Sequence, residues 1–344
     1  MPEILIDILK AKDLNSGLGQ FSVNFAEALQ AQQRRDQRVT FLAPADFSLP
    51  NEAHYDRPNW RKRYFPALNK PYDIWHSLHQ FPSFRPGPRS KWILTVHDLN
   101  FLLEKEAAKS KRYLARLQHN IDRAYAITTI SHFTRYELEQ HIDLRGKQVR
   151  VIHNGVRTPS GTPSEHRGRP YFLSLGVFKE KKNFHALLPL MTLFPEHDLV
   201  LAGNNNTAYG ERIKAEVREL GLGERVHIPG AVDEQEKFRL YSHCEAFLFP
   251  SLAEGFGLPV IEAMLLGRPV FLSNATSLPE IGGDVAFYFG DMGAEAMARE
   301  ITASMMVFNN DPDVFSDRLK EHAAQFSWDA CIRKYVALYA EVLG

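Results

Sequence analysis

Two series of short apolar runs, separated by a stretch rich in proline, serine, threonine and glycine, constrain this chain more than any other feature. The first series falls at 3–9, 39–42, 74–76, 92–96, 126–130 and 149–152; the second at 171–175, 198–202, 226–228, 246–249 and 269–272. Runs this short, bounded by turn residues, read as strands. Helical patterns lie between them at 19–33 and 108–123, then at 183–191, 208–220, 233–242 and 257–266. Strands alternating with helices predict an α/β fold with a parallel sheet covered on both faces. Two series predict two such doubly wound domains, and 344 residues exceed what one core usually supports. The break between them is Thr158–Pro159–Ser160–Gly161–Thr162–Pro163–Ser164 with Arg167–Gly168–Arg169–Pro170. The expected domains are therefore 1–165 and 170–327, and the pattern leaves the domain of a final helix, 328–344, open. Residues 44–71, with five prolines, read as a loop holding the densest basic–aromatic cluster, Arg57 to Phe65. In open parallel sheets, ligands bind outside the carboxyl ends of the strands, which predicts a cleft between the two domains.

Charge sums to zero but is unevenly placed. Residues 1–169 carry 26 Lys/Arg against 17 Asp/Glu, and residues 170–344 carry 15 against 24. A basic half suits phosphates or an anionic membrane surface, or is simply a solvated face. Cys244 and Cys331 stand far apart, which argues against a disulfide framework or structural zinc and fits a reducing, cytoplasmic setting. The N-terminus enters a strand at once, and no window approaches a membrane span, so a soluble or peripheral protein is expected. The P-loop pattern and the Gly-x-Ser-x-Gly elbow are missing. No metal-ligand spacing stands out beyond a conceivable His76–His79 pair, and no metal or nucleic acid is expected.

Chemistry concentrates after strands. Glu254–Gly255–Phe256–Gly257–Leu258–Pro259–Val260–Ile261–Glu262 sets two carboxylates around a glycine turn that opens a helix. The amides of Phe256, Gly257 and Leu258 begin that helix and can face phosphate. Glu254 hangs beyond a strand, and Glu262, further along the helix, can accept from a ribose hydroxyl pair; a capping carboxylate and a solvent-facing Glu are the alternative. Gly176 to Asn183 follows another strand and brings Lys181 and Lys182 against a helix start, where lysines would neutralise phosphate. In the first half, Asn15–Ser16–Gly17–Leu18–Gly19 resembles a phosphate loop without the full dinucleotide pattern. His97, at a strand's carboxyl edge, suits a hydrogen bond to a sugar hydroxyl or to its own backbone. Ser131–His132–Phe133 and His153–Asn154–Gly155 read as turn and cap chemistry.

These motifs resemble the retaining GT-B glycosyltransferases of family 4, over nearly the whole length and most closely over 170–290. The shared hallmark is a Glu, seven residues and a second Glu, here Glu254 and Glu262; Asn154–Gly155–Val156 and Ser277–Leu278–Pro279–Glu280 with Gly282–Gly283 look like two further family segments. The resemblance implies two facing Rossmann-like domains, a final helix, 328–344, that crosses back to the first, and a nucleotide-sugar donor, with GDP-mannose favoured and UDP-sugars the competitor. It also implies a glycan or lipid-linked acceptor in lipopolysaccharide or capsule assembly, at the cytoplasmic membrane face, with no cofactor. Glu254 would hold the sugar hydroxyls, Glu262 the ribose, and Lys182 the diphosphate. His97 would contact the sugar, while Gly17 and Gly19 let the N-terminal loop lie on the diphosphate. Val177 stands where many members have Arg, and Lys181 is the candidate substitute. A non-catalytic nucleotide-sugar-binding subunit, or an epimerase or phosphorylase on the same plan, is the alternative class.

Overall fold

The computed structural model describes residues 1–14, 16–32, 37–162, 165 and 168–344. The chain forms two compact units, Met1–Gly155 with Phe326–Gly344, and Val156–Gln325. The first unit holds β1 (Glu3–Asp7), β2 (Arg38–Leu42), β3 (His54–Asp56), β4 (Ile74–Ser77), β5 (Lys91–Val96), β6 (Ala126–Thr129) and β7 (Val149–Val151). They form one sheet in the order β3-β2-β1-β4-β5-β6-β7, and every pairing is parallel.

Side chains alternate across this sheet, and both faces are apolar. Ile4, Ile6, Val39, Phe41, Ile74 and Ile93 point to one core. Leu5, Leu42, Trp75, Trp92, Leu94 and Val96 point to the other. The first core is closed by helix Gly17–Ala31 and by the C-terminal helix Trp328–Leu343. That last helix presents Cys331, Ile332, Tyr335, Leu338, Tyr339 and Val342, the spacing of one helical stripe. A polar chain locks it down. Tyr339 Oη lies 2.7 Å from His76 Nδ1, and His76 Nε2 lies 2.8 Å from Thr95 Oγ1. Both ring nitrogens of His76 are thus spent inside the core, and burial drops its pKa to about 3. A His76–His79 metal pair is incompatible with that bonding. Gly155 is a glycine for the same docking, because a Cβ there would overlap Trp328.

The second unit holds β8 (Tyr171–Leu175), β9 (Asp198–Ala202), β10 (Val226–Gly230), β11 (Ala246–Phe249), β12 (Val270–Ser273) and β13 (Phe287–Phe289). Its sheet is again parallel, in the order β10-β9-β8-β11-β12-β13. In both sheets the order reverses beside the first strand, between β1 and β4 and between β8 and β11. Connections leave such a point toward opposite faces and open a crevice at the strands' carboxyl ends.

Several expectations need correction. The helix expected over 183–191 forms over 184–190, but it opens as a 3-10 turn, Phe184–Ala186, that runs into Leu187–Leu190. Asn183 separates it from a preceding turn, Glu180–Lys182, in the left-handed region at φ 55°, which asparagine tolerates better than most residues. The stretch 44–71 is not all loop: it contains edge strand β3 and helix Trp60–Tyr64, whose start is capped by the Asn59 side chain accepting from the Lys62 amide. The cap expected at Ser131 is borne out: its side chain accepts from the Thr134 amide at the start of helix His132–His141. The first unit ends at Gly155, ten residues before the expected boundary, and the second at Gln325. Asn15, Gln33, Pro163, Ser164 and Arg167, which figured in the expected loop, helix and linker, lie outside the described residues.

Candidate active site

Lys182 and Glu254 meet at the reversal point of the second sheet. Lys182 lies on the loop after β8 and Glu254 on the loop after β11, and Lys182 Nζ donates to Glu254 Oε1 at 2.6 Å. Their side chains are only 11% and 13% exposed, so the pair is largely dry. Ser251 Oγ donates to the same oxygen at 2.5 Å, and the Glu254 amide donates to Thr276 Oγ1 at 3.0 Å. Burial alone would raise the Glu254 carboxyl, but the charges of Lys182 and Lys181 and the hydrogen bonds from Lys182 and Ser251 outweigh it and hold it below the ordinary carboxylate range. Glu254 Oε2 takes no hydrogen bond among the described residues. One face of an ionised carboxylate is therefore left for a ligand hydroxyl.

The backbone is shaped around this pair. A Cβ on Gly176 would sit 2.9 Å from Lys182 Cε, so the glycine leaves room for the lysine's end. Lys182 Nζ also rests 4.6 Å from the centre of the Phe249 ring, which fixes it from below. Gly257, at φ 123°, caps helix Leu258–Leu265 without a side-chain acceptor on its first turn. Phe256 is buried, and its carbonyl accepts from Ser277 Oγ at 2.8 Å. Glu262 belongs to a separate cluster on that helix. Lys237 Nζ donates to its Oε1 at 2.9 Å and Tyr241 Oη to its Oε2 at 3.0 Å. Burial raises the Glu262 carboxyl and Lys237 offsets this only in part. A ribose would have to share Glu262 with two existing donors, which its spare lone pairs permit.

The first unit has its own crevice at the reversal point between β1 and β4. His97, just past β5, is buried, and its Nε2 donates to the Leu78 carbonyl at 2.7 Å. Burial drops it to about 4, so it is neutral and offers only Nδ1, an acceptor. It lines a cavity of about 870 Å³ with Lys10, His79, Arg85, Arg116 and Arg123. Gly19 is glycine for packing, since a Cβ would overlap the Asp13 carbonyl, and its amide donates to the capping Ser16 Oγ at 3.1 Å. Gly17 has open space where a Cβ would be.

The structure thus brings Lys181, Lys182, Glu254, Phe256, Gly257 and Leu258 together in the second unit, with Glu262 one helix turn away. Gly17, Gly19 and His97 belong to the first. Sequence reasoning missed Ser251, Thr276, Lys237 and Tyr241. Ser251 was three residues from Glu254, a spacing that a turn brings together; Lys237 and Tyr241 carried no local signal.

Comparison with known proteins agrees in both units. The family described as Glycosyltransferase Family 4 matches residues 16–159, and Glycosyl transferases group 1 matches residues 162–306. O-antigen chain mannosyltransferase B of Escherichia coli is 27% identical over 76% of this chain and 74% of its own length. O-antigen chain mannosyltransferase RfbU of Salmonella typhimurium is 22% identical over 95% of this chain and 96% of its own. Anabaena HepE, solved in complex with UDP-glucose, superposes with a TM-score of 0.76 at 17% identity, covering 99% of this chain and all of the other. Two parallel Rossmann-like sheets of this order are the GT-B fold, and the chain belongs to the family 4, group 1 glycosyltransferases.

Proposed function

We propose that this protein is a retaining mannosyltransferase that moves mannose from GDP-mannose to a hydroxyl of a glycan or lipid-linked oligosaccharide in cell-surface polysaccharide synthesis. The observation that carries this reading is the Lys182–Glu254 pair at the β8/β11 reversal point, with one carboxylate oxygen open. Glu254 would orient the sugar through its hydroxyls. Lys182, Lys181 and the start of helix Leu258–Leu265 would stabilise the negative charge that develops on the departing diphosphate. The anomeric carbon–phosphate oxygen bond breaks, the acceptor oxygen bonds to the same face, and a donor phosphate oxygen takes the acceptor's proton. The charge stabilisation comes from protein groups, so the scheme asks for no metal. Mannose is favoured by the two O-antigen mannosyltransferases this chain resembles.

The exposed segment around helix Trp60–Tyr64 supports a peripheral membrane contact. Trp60, Tyr64 and Leu68 are 62%, 68% and 78% exposed, beside Arg61 and Arg63. No helix of the described residues is long and apolar enough to cross a membrane. A UDP-sugar is the second reading, favoured by HepE, which was solved with UDP-glucose. Thermal-shift screening against GDP-mannose, UDP-glucose, UDP-N-acetylglucosamine and dTDP-rhamnose decides between them. GDP-mannose should raise the melting temperature most. If none of the four moves it, the donor site is wrongly assigned.

A further inference from the structure

The first unit's cavity has a charge composition that a neutral sugar does not explain. Lys10 and Arg63 line it with Arg85, Arg116 and Arg123, and Asp98 is the single carboxylate on its wall among the described residues. None of the five cations lies within ion-pair distance of a carboxylate among the described residues. They come from separate segments: the loop after β1, helix Trp60–Tyr64, the loop after β4, and helix Ala107–Arg123. The fold therefore gathers them; no local charge run does.

Two of them are held in place through their guanidinium planes. Arg116 stacks 5.3 Å from the Phe81 ring centre and Arg123 5.9 Å from the Trp92 ring centre. Arg85 is half-buried, and burial followed by the charges of Arg123 and Arg116 lowers its pKa. The Arg85 guanidinium is therefore repelled by both, and none of the three is ion-paired among the described residues. His79 adds a directional donor. Its Nδ1 accepts from the Phe81 amide at 3.0 Å, which leaves the proton on Nε2. Burial, Lys10, His97 and Arg116 drop its pKa to about 2, so it stays a neutral donor.

We propose that this cavity binds a phosphorylated acceptor, with Arg85, Arg116 and Arg123 taking its phosphate or diphosphate group and His79 Nε2 donating to it. The assignment rests on the glycosyltransferase reading, and deepens it by naming the acceptor's chemical class. Guanidinium forks match phosphate oxygens, and charge-assisted bonds of this kind are strong where water is scarce. A single carboxylate, as in a uronic acid, would leave most of the five cations unanswered; a diphosphate answers more of them. The cavity's about 870 Å³ accommodates a saccharide beside the phosphate. His97 Nδ1, an acceptor on the same wall, is suited to a sugar hydroxyl rather than to the anion.

The test uses the full chain, with the nucleoside diphosphate that stabilises it most held at saturating concentration so that the donor site is filled. Inorganic diphosphate, mannose 1-phosphate and vesicles carrying an undecaprenyl-diphosphate saccharide are titrated against wild type and against Arg85→Gln/Arg116→Gln. At least one phosphate probe should bind saturably and weaken tenfold or more in the double variant, while the thermal shift by nucleotide sugar stays unchanged. Arg85→Lys/Arg116→Lys should recover part of the loss, which separates charge from misfolding. Preference for the vesicles identifies a lipid-linked acceptor, and preference for mannose 1-phosphate a soluble one. The proposal is overturned if no phosphate probe binds wild type, if wild type and the glutamine variant bind alike, or if glucuronate binds as tightly as the phosphates. Failure of the donor reading looks different: no nucleotide sugar shifts the wild-type melting temperature.

Discussion

The two reversal points use opposite electrostatics on the same topology. At β8/β11 a lysine and a glutamate neutralise each other in a nearly dry pocket, and what remains is one oriented carboxylate oxygen. At β1/β4 five cations share a roomy cavity with one carboxylate and two neutral histidines. The first arrangement is pre-organised for positioning, because its charges are already compensated without a ligand. The second is frustrated until an anion arrives. A fold supplies the crevice, and the residues on its loops decide the chemistry.

The comparison breaks most sharply at Glu254. Glu254→Gln should lower kcat about 10³-fold, measured by radiolabelled sugar transfer, and should also lower the melting temperature in the absence of nucleotide, because the Lys182 ammonium is left buried without its partner charge. A variant with near-normal transfer would remove Glu254 from the site. Lys182→Met asks whether the dry pair needs both members. It should cost about 3 kcal/mol, since the carboxylate is left buried without its partner, and urea titration reads this directly.

Acid separates the units. All four tryptophans, Trp60, Trp75, Trp92 and Trp328, lie in the first, so their fluorescence reports that unit alone. His76, His79 and His97 sit at about 3, 2 and 4, below their ordinary 6.5, so the unfolded chain binds protons that the folded one refuses. Their contribution is complete above pH 6.5 and drains away as pH falls from there toward those values. Asp7, raised by burial to about 7, acts in the opposite sense, losing stability as pH rises through that value, but is one group against three. Between pH 6.5 and 5 the first unit should lose roughly 3 kcal/mol, seen as a falling urea midpoint by tryptophan fluorescence. The Glu254–Lys182 pair, whose carboxyl is depressed, keeps its contribution until lower pH. A midpoint that is flat over this window contradicts the bonding assigned to the three histidines. The smallest effect is Tyr339→Phe, which strips the partner from His76 Nδ1 and should cost about 1–2 kcal/mol on the same fluorescence signal.

Much of this was readable along the chain. The strand runs carry their period in the residues themselves: Ile4 and Ile6 against Leu5 already assign two faces. Glu254 and Lys182 each stand directly after a strand, so their place at the carboxyl edge follows from local pattern. The helix expected over 183–191 forms over 184–190, but its 3-10 opening and the left-handed Asn183 before it are details that composition does not announce. Strand β3 was hidden by flanking prolines and by having only three residues, too few to show alternation.

The sequence by itself therefore determined the class of sheet, the break between two units and the two ends of the Lys182–Glu254 pair, because each depends on residues within one turn or strand. Only the tertiary structure decided that His76 is a core group bonded to Tyr339 of the returning last helix, and that Lys10, Arg63, Arg85, Arg116 and Arg123 share one cavity. Those outcomes depend on strand order and crossover path, which bring together residues more than a hundred positions apart, and no local period encodes them.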